Sequence, residues 1–271
     1  MMNVPFYQID AFTSEPFRGN PAAVCLMRCD LEDDIYQSIA REMNLSETAF
    51  VEANEKQVSY RLRWFTPKRE VPLCGHATLA TAHILFRHRR VRGKRLAFET
   101  LGGVLYAERV RGGVRLDFPR NDPEEVEPMG AILRGLGVAE HVDFQYSRTN
   151  QKLLVRLQDD GEVRRLRPRL SDLLEAENTL GWRGVIVTAK GDEPYDFVSR
   201  YFAPWMGVDE DPVTGSAHTV LAPYWAGALG KKVFRAYQAS ERGGELLLEL
   251  SGDRVLMTGK AVTIASGTLT F

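Results

Sequence analysis

A short pattern of arginine, aromatic, phenylalanine, small residue and proline occurs twice in the chain. Each time a spacer and then Pro-x-(Cys/Thr)-Gly-x-Ala follow it. The first copy is Arg63-Trp64-Phe65-Thr66-Pro67 with Pro72-Leu73-Cys74-Gly75-His76-Ala77; the second is Arg200-Tyr201-Phe202-Ala203-Pro204 with Pro212-Val213-Thr214-Gly215-Ser216-Ala217. Each copy reads as an extended aromatic strand, a proline-punctuated loop and a helix whose first turn begins at the glycine. A helix start exposes unpaired N–H groups and the positive end of the macrodipole, worth about 0.3–1 kcal/mol towards an anion and ~2 kcal/mol when partly buried. Gly75 and Gly215 let ligand atoms approach the backbone with no side chain between. Two such starts aimed at one space make a trap for a small carboxylate, or for a species that becomes an enolate during reaction. A single glycine of this kind is ordinary loop-to-helix punctuation; its recurrence in register favours ligand binding.

The elements that must hold these residues follow from periodicity. His76 to His88 is apolar on nearly every face, as an enclosed central helix is. Its counterpart, Ser216 to Leu229, contains Pro223, which is expected to kink or break it after Ala222, with Gly230 as a C-terminal stop. Strand-like runs surround the first helix at Val4–Ala11, Ala22–Met27, Ala49–Glu52, Val58–Phe65, Arg95–Thr100, Val104–Val110 and Val114–Phe118. Gly102-Gly103 and Gly112-Gly113 join the last three as hairpins. Leu31, Ile35, Ile39 and Met43 form one amphipathic surface helix with Asp30 as its N-cap. The second half repeats the plan with Leu153–Leu157, a helix from Ser171 to Leu180 ending at Gly181, then Gly184–Ala189, Asp196–Phe202, Glu245–Leu250 and Val262–Leu269. The fold class is therefore α+β: two similar domains, each a curved, mostly antiparallel sheet wrapped around a central helix. The domains are expected at residues 1–120 and 121–271, with the acidic, proline-bearing Asn121–Pro128 as the seam and the final strand free to return to the first domain. Helix starts from the two domains would then face one another across a cleft.

Composition narrows the function classes. The 271 residues are 44% hydrophobic and 26% charged, enough to bury a core, and the formal charge of -1 gives no global field for nucleic acid or an anionic membrane. The basic clusters, Arg87, His88, Arg89, Arg90, Arg92, Lys94 and Arg95 and then Arg164, Arg165, Arg167 and Arg169, carry no interleaved aromatic platform and read as solvated surface. No apolar run approaches the ~18–20 residues of a membrane helix, and the N-terminus lacks the pattern of a secretory signal, so a cytoplasmic location is expected. Cys25, Cys29 and Cys74 form no even disulfide set and lack zinc-ligand spacing. Hydrolase, nucleotide-binding and dinucleotide signatures are missing, and the spacing of the five histidines gives a metal site little support.

Four stretches carry a family resemblance: Asp10-Ala-Phe-Thr with Gly19-Asn20-Pro21-Ala22; Leu45-Ser46-Glu47-Thr48-Ala49-Phe50; Phe65-Thr66-Pro67 through Val71 to Leu79; and Asp209-Glu210-Asp211-Pro212-Val213-Thr214-Gly215-Ser216-Ala217-His218. Together they strongly resemble the PhzF phenazine-biosynthesis family, a branch of the diaminopimelate-epimerase-like fold. The resemblance implies a homodimeric isomerase that moves a proton within a small carboxylate without metal or organic cofactor. Glu47 matches the carboxylate that carries the proton. Its position before the apolar Thr48–Val51 run agrees, since a carboxyl held at the edge of a core has its pKa raised towards neutrality. His76 matches the family's site histidine, neutral at a positive helix end and able to bond a substrate hydroxyl or amine. Asp211 and Ser216 match its other polar positions, Asp211 holding His76 or a substrate amine and Ser216 offering hydroxyl and N–H to the substrate carboxylate. Asn20, Ser46, Gly75 and Gly215 complete the expected substrate contacts.

In the epimerase relatives of this fold a thiol serves in each half. Here the second copy has Thr214 opposite Cys74, and a hydroxyl does not replace a thiolate base. A two-thiol racemase is therefore disfavoured, and Cys74 reads as a small buried neighbour of the site. A catalytically silent metabolite-binding or interaction protein on the same fold is the alternative. Retention of Glu47, His76, Asp211 and Ser216 together favours the enzyme.

Overall fold

The computed structural model describes residues 1–53, 59–88, 91 and 93–271. The chain divides into two units, Met1–Phe118 with Leu256–Phe271, and Pro119–Val255.

In the first unit β1 (Asn3–Ala11) is flanked on both sides by antiparallel partners, β2 (Asn20–Met27) and the C-terminal strand Ala261–Thr270. Gly19, at φ +64°, turns the chain so that Asn20 falls opposite Ala11; a Cβ there would lie 2.1 Å from the Ala11 carbonyl oxygen. Gly19→Ala is expected to cost about 1–3 kcal/mol, read as a lower urea midpoint at unchanged slope. After α1 (Asp33–Met43), β3 (Glu47–Ala53) runs parallel to β2, and β4 (Tyr60–Phe65) antiparallel to β3. The two-residue β5 (Glu70–Val71) folds back on β4. The helix α2 (Gly75–Arg87) follows, then β6 (Arg95–Thr100), parallel to β4, and the hairpin strands β7 (Gly103–Val110) and β8 (Gly113–Pro119).

The second unit opens with β9 (Glu124–Glu125) and α3 (Gly130–Leu136). Next come β10 (Asp143–Ser147), β11 (Lys152–Arg156), the short α4 (Asp160–Arg165) and α5 (Leu170–Leu174), β12 (Gly184–Lys190) and β13 (Phe197–Phe202). The helix α6 (Gly215–Leu229) then leads to β14 (Val233–Gln238) and β15 (Gly244–Ser251). From β10 to β15 the pairings alternate antiparallel, parallel, antiparallel, parallel, antiparallel. From β1 through β2, β3, β4 and β6 to β7 the sequence is the same. The crossover between the fourth and fifth strand of each series is the apolar helix, α2 in one unit and α6 in the other. That is the physical content of the duplication in the sequence.

Both helices are buried along most of their length, because sheet residues cover them on several sides. Four local expectations are corrected. Pro223 lies inside α6 without ending it. Proline has no N–H for the Thr219 carbonyl, and Asn121 N donates to that oxygen instead at 3.2 Å, so the freed acceptor is satisfied. In α1 the N-cap is Glu32 rather than Asp30, whose carboxylate accepts from Tyr36 Oη and Leu31 N. The buried face is Tyr36, Ile39 and Ala40, with Ile35 turned outward, because Tyr36 packs on the rings of Phe50 and Phe65. The helix expected over 171–180 is the five-residue α5; Asn178 bonds both N and O of Trp182 and holds the following segment as a loop.

Within the basic clusters, Arg89, Arg90 and Arg92 lie outside the described residues. Arg95 stacks over Tyr106, and Arg164 and Arg169 pair with Asp160 and Asp172. Among the described residues no helix is long and apolar enough to cross a membrane.

Candidate active site

The repeated arginine of each motif has a structural task that fixes the loop ahead of the helix start. Arg63, in β4, forks onto the Glu70 carboxylate with two bonds of 2.7 Å. Arg200, in β13, does the same to Glu210 at 2.7 and 2.8 Å. Glu70 and Glu210 each stand two residues before the motif proline, so the pattern extends to Glu-x-Pro in both copies. Bidentate guanidinium–carboxylate pairs of this kind fix orientation as well as distance. They tie the strand end to the approach of the helix, and α2 and α6 then begin at Gly75 and Gly215.

In the first unit this arrangement brings Glu47, Cys74 and His76 together. Glu47 is the first residue of β3, opposite Ala22 in the parallel ladder, with Ser46 half-buried just before it and Asn20 fully buried at the start of β2. Cys74 is the N-cap of α2 and His76 lies in its first turn. His76 Nε2 is 3.2 Å from Glu47 Oε2, with side chains 6% and 19% exposed. The contact is a close approach and not an aligned bond, for His76 Nε2 makes no hydrogen bond of good geometry. The second ring nitrogen, Nδ1, is 3.5 Å from Cys74 Sγ. The imidazole therefore approaches a carboxylate through one nitrogen and a thiol through the other. Thr78 Oγ1 donates to the Cys74 carbonyl at 2.5 Å and holds that residue at the helix start. Burial pulls the His76 pKa down to about 3, so the ring is neutral at ordinary pH. The sequence argument expected neutrality from the helix end; burial is the cause here.

In the second unit Asp211, Thr214, Gly215 and Ser216 come together. Thr214 Oγ1 donates to Asp211 Oδ2 at 2.6 Å. Gln238, fully buried at the end of β14, clamps the turn: its Nε2 donates to the Asp211 carbonyl at 2.7 Å and its Oε1 accepts from Thr214 N at 2.8 Å. Asn150 Nδ2 donates to the Ser216 carbonyl at 2.6 Å. Lys152 is almost wholly buried, its Nζ donating to Tyr201 Oη at 3.2 Å. Burial brings its pKa down to about 8 against the opposing pull of Asp211. None of Gln238, Asn150, Lys152 or Tyr201 was marked as a site residue by the sequence. Only Tyr201 stands inside the repeat, and the others are distant in the chain.

His218 occupies the α6 position that matches Thr78 in α2, and its Nδ1 donates to the Thr214 carbonyl at 2.8 Å as Thr78 does to Cys74. A carbonyl only accepts, so Nδ1 carries the proton. Burial lowers the His218 pKa to about 4, the bond to Thr214 opposing the shift. Burial, with Arg87 and His88 close by, also lowers the His83 pKa to about 4, so three depressed imidazoles bear on stability. The unfolded chain binds all three protons below about pH 6.5 while the native chain does not, so stability falls as pH drops from about 6.5 towards about 4, by up to ~1.4 kcal/mol per pH unit for each ring. Urea titrations at pH 7 and pH 5 check this, and His218→Asn is expected to flatten the dependence.

The family model described as phenazine biosynthesis-like protein, PhzC-PhzF, matches residues 9–267. A phenazine biosynthesis-like domain-containing protein 1 from Mus musculus is 49% identical, the match covering 99% of this chain and all of that protein. A protein from Pseudomonas aeruginosa named as an uncharacterised isomerase is 50% identical over 98% of each chain. The crystal structure of a PhzF-family phenazine biosynthesis protein from Enterococcus faecalis superposes with a TM-score of 0.94 at 41% identity, covering each chain completely. At 12% identity, a hydroxyproline epimerase from Agrobacterium vitis shares the fold with a TM-score of 0.59, over 98% of this chain and 92% of that one.

Proposed function

The chain belongs to the phenazine biosynthesis-like PhzC-PhzF family, and from that membership and the Glu47–His76 contact we propose that it is an isomerase moving a proton within a small cyclic or unsaturated carboxylate. Glu47 takes the proton from one carbon and returns it to another. The observation that carries this reading is the 3.2 Å approach of the Glu47 carboxyl to a buried, neutral imidazole. A ring that stays uncharged next to the acid adds no ion pair of its own to hold Glu47 ionised. His76 orients the carboxyl and meets a hydroxyl or amino group of the substrate. Backbone N–H groups at the start of α2 favour the negative charge that develops when the proton leaves. In the second unit Asp211 is the proposed catalytic residue and Gly215 and Ser216 the proposed substrate-binding ones, with Gln238 and Asn150 bonded to their backbone. A homodimer that works without a cofactor is part of the same reading.

Isomerase names on bacterial relatives support it, as does the sharing of the fold with an epimerase. The test is proton NMR in heavy water over a panel of cyclic and amino-acid-like carboxylates. Deuterium entering one of them at a catalysed rate is the expected result; none across the panel, alongside measurable binding of a panel member, sinks the isomerase in favour of a silent binding protein.

A further inference from the structure

The chemistry of the Glu47–Cys74–His76 group is wider than proton transfer. We propose that these three residues form a binding site for a thiophilic divalent cation, zinc in the first instance. The proposal goes beyond the isomerase reading and does not depend on it.

The three side chains each present one ligand atom, and these atoms lie within 4.8 Å of one another. Zinc takes thiolate sulfur, imidazole nitrogen and carboxylate oxygen at about 2.0–2.3 Å, so tetrahedral donors stand roughly 3.3–3.8 Å apart. His76 Nε2 and Glu47 Oε2 are already that close, at 3.2 Å. The remaining closure of ~1 Å falls within the reach of a tetrahedral site after rotation of Glu47, whose side chain is the most exposed of the three. His76 Nε2 is among the buried atoms of the described residues that make no hydrogen bond, and it lies 3.2 Å from the Glu47 carboxylate.

Charge balance permits a buried divalent ion here, and the donor set favours zinc over a harder cation. The start of α2 presents positive potential to any ion placed there. A thiolate and a carboxylate cancel the two charges of zinc, and a neutral assembly is indifferent to that potential and tolerates burial. Magnesium or calcium, which demand several oxygen ligands, find one carboxylate. Three protein ligands leave a coordination position open, as in zinc sites that accept water or a substrate atom. Sequence spacing hid this group, because its carboxylate comes from a strand far from the Cys-x-His pair.

A bound zinc would occupy Glu47 and stop it from carrying protons. Cobalt(II) and zinc chlorides added to the purified, reduced and chelator-treated chain test the site. The expected result is one cobalt ion per chain, with the near-ultraviolet charge-transfer absorption that a thiolate ligand gives and the visible bands of a four-coordinate ion. Calorimetry in buffers of differing ionisation enthalpy is expected to show about one proton released per zinc. Cys74→Ser removes the charge-transfer band, Glu47→Gln keeps it but weakens zinc binding by at least ~10-fold, and Cys29→Ser changes neither. Saturating cobalt with no such band, or a band that survives in Cys74→Ser, overturns the proposal and leaves the isomerase reading where it stood. Metal binding as described, with no catalysed exchange in the heavy-water panel, has the opposite meaning.

Discussion

Glu47→Gln is expected to lower the rate of deuterium entry into the substrate by about 10²- to 10⁴-fold, the usual contribution of a positioned acid or base. Glutamine keeps the length and shape of the side chain and its closeness to His76 Nε2, but its amide neither accepts nor returns a proton at ordinary pH. The loss therefore falls on turnover, while affinity for the substrate carboxylate changes little. Glu47→Asp retains the acid but draws it back by one methylene from a contact now 3.2 Å long, and an intermediate rate is expected. Cys74→Ala provides the contrast. If that variant loses exchange while Glu47→Gln keeps it, the proton carrier is the thiol and the assignment to Glu47 fails.

The second large effect concerns stability. Glu210→Ala is expected to destabilise the second unit by about 3 kcal/mol, the lower part of the range for breaking a buried pair, since Glu210 retains some solvent contact. Arg200 is 7% exposed, and without its partner a buried charge is left with the carbonyls of Leu166 and Val163 and the face of the Phe202 ring. Replacing both members, Arg200→Met with Glu210→Leu, is expected to recover most of the loss, because the apolar pair needs no compensation. Urea unfolding of the two single variants and the double variant measures the coupling. A single-variant effect below about 1 kcal/mol would mean that water reaches Arg200 and that the pair is worth no more than one on the surface. In the first copy Glu70→Ala is expected to cost less, because Arg63 also pairs with Asp33 at 2.8 Å.

The sequence carried the architecture wherever a local pattern repeats. The two glycines that open α2 and α6, the aromatic strands before them and the hairpins around Gly102-Gly103 and Gly112-Gly113 are all local signals, and each has its counterpart in the structure. What depends on a distant partner was not legible. Pro223 is harmless because Asn121, far off in the chain, takes the carbonyl that it frees. The buried face of α1 is set by two phenylalanines on other strands, and Ile35 faces outward in spite of its spacing. The Arg–Glu forks were missed although all four residues lie in or beside the repeat, because a charge pattern in a sequence does not tell a solvated carboxylate from a clamped one. The resemblance already placed Glu47 and His76 at one site with Cys74 beside it; the spacing of these residues alone does not reveal the parallel pairing of β2 with β3 that carries Glu47.

The two-sided pairing of β1 has a consequence for biosynthesis. One of its neighbours, residues 261–270, leaves the ribosome only after the whole of the second unit has been made, and contacts as remote as Thr270 Oγ1 to Asn3 Oδ1 join them. Throughout translation β1 therefore offers a bare edge, the kind of surface on which strands of other nascent chains can add. The unit begun first is the one completed last, and its vulnerable interval is as long as the synthesis of everything between.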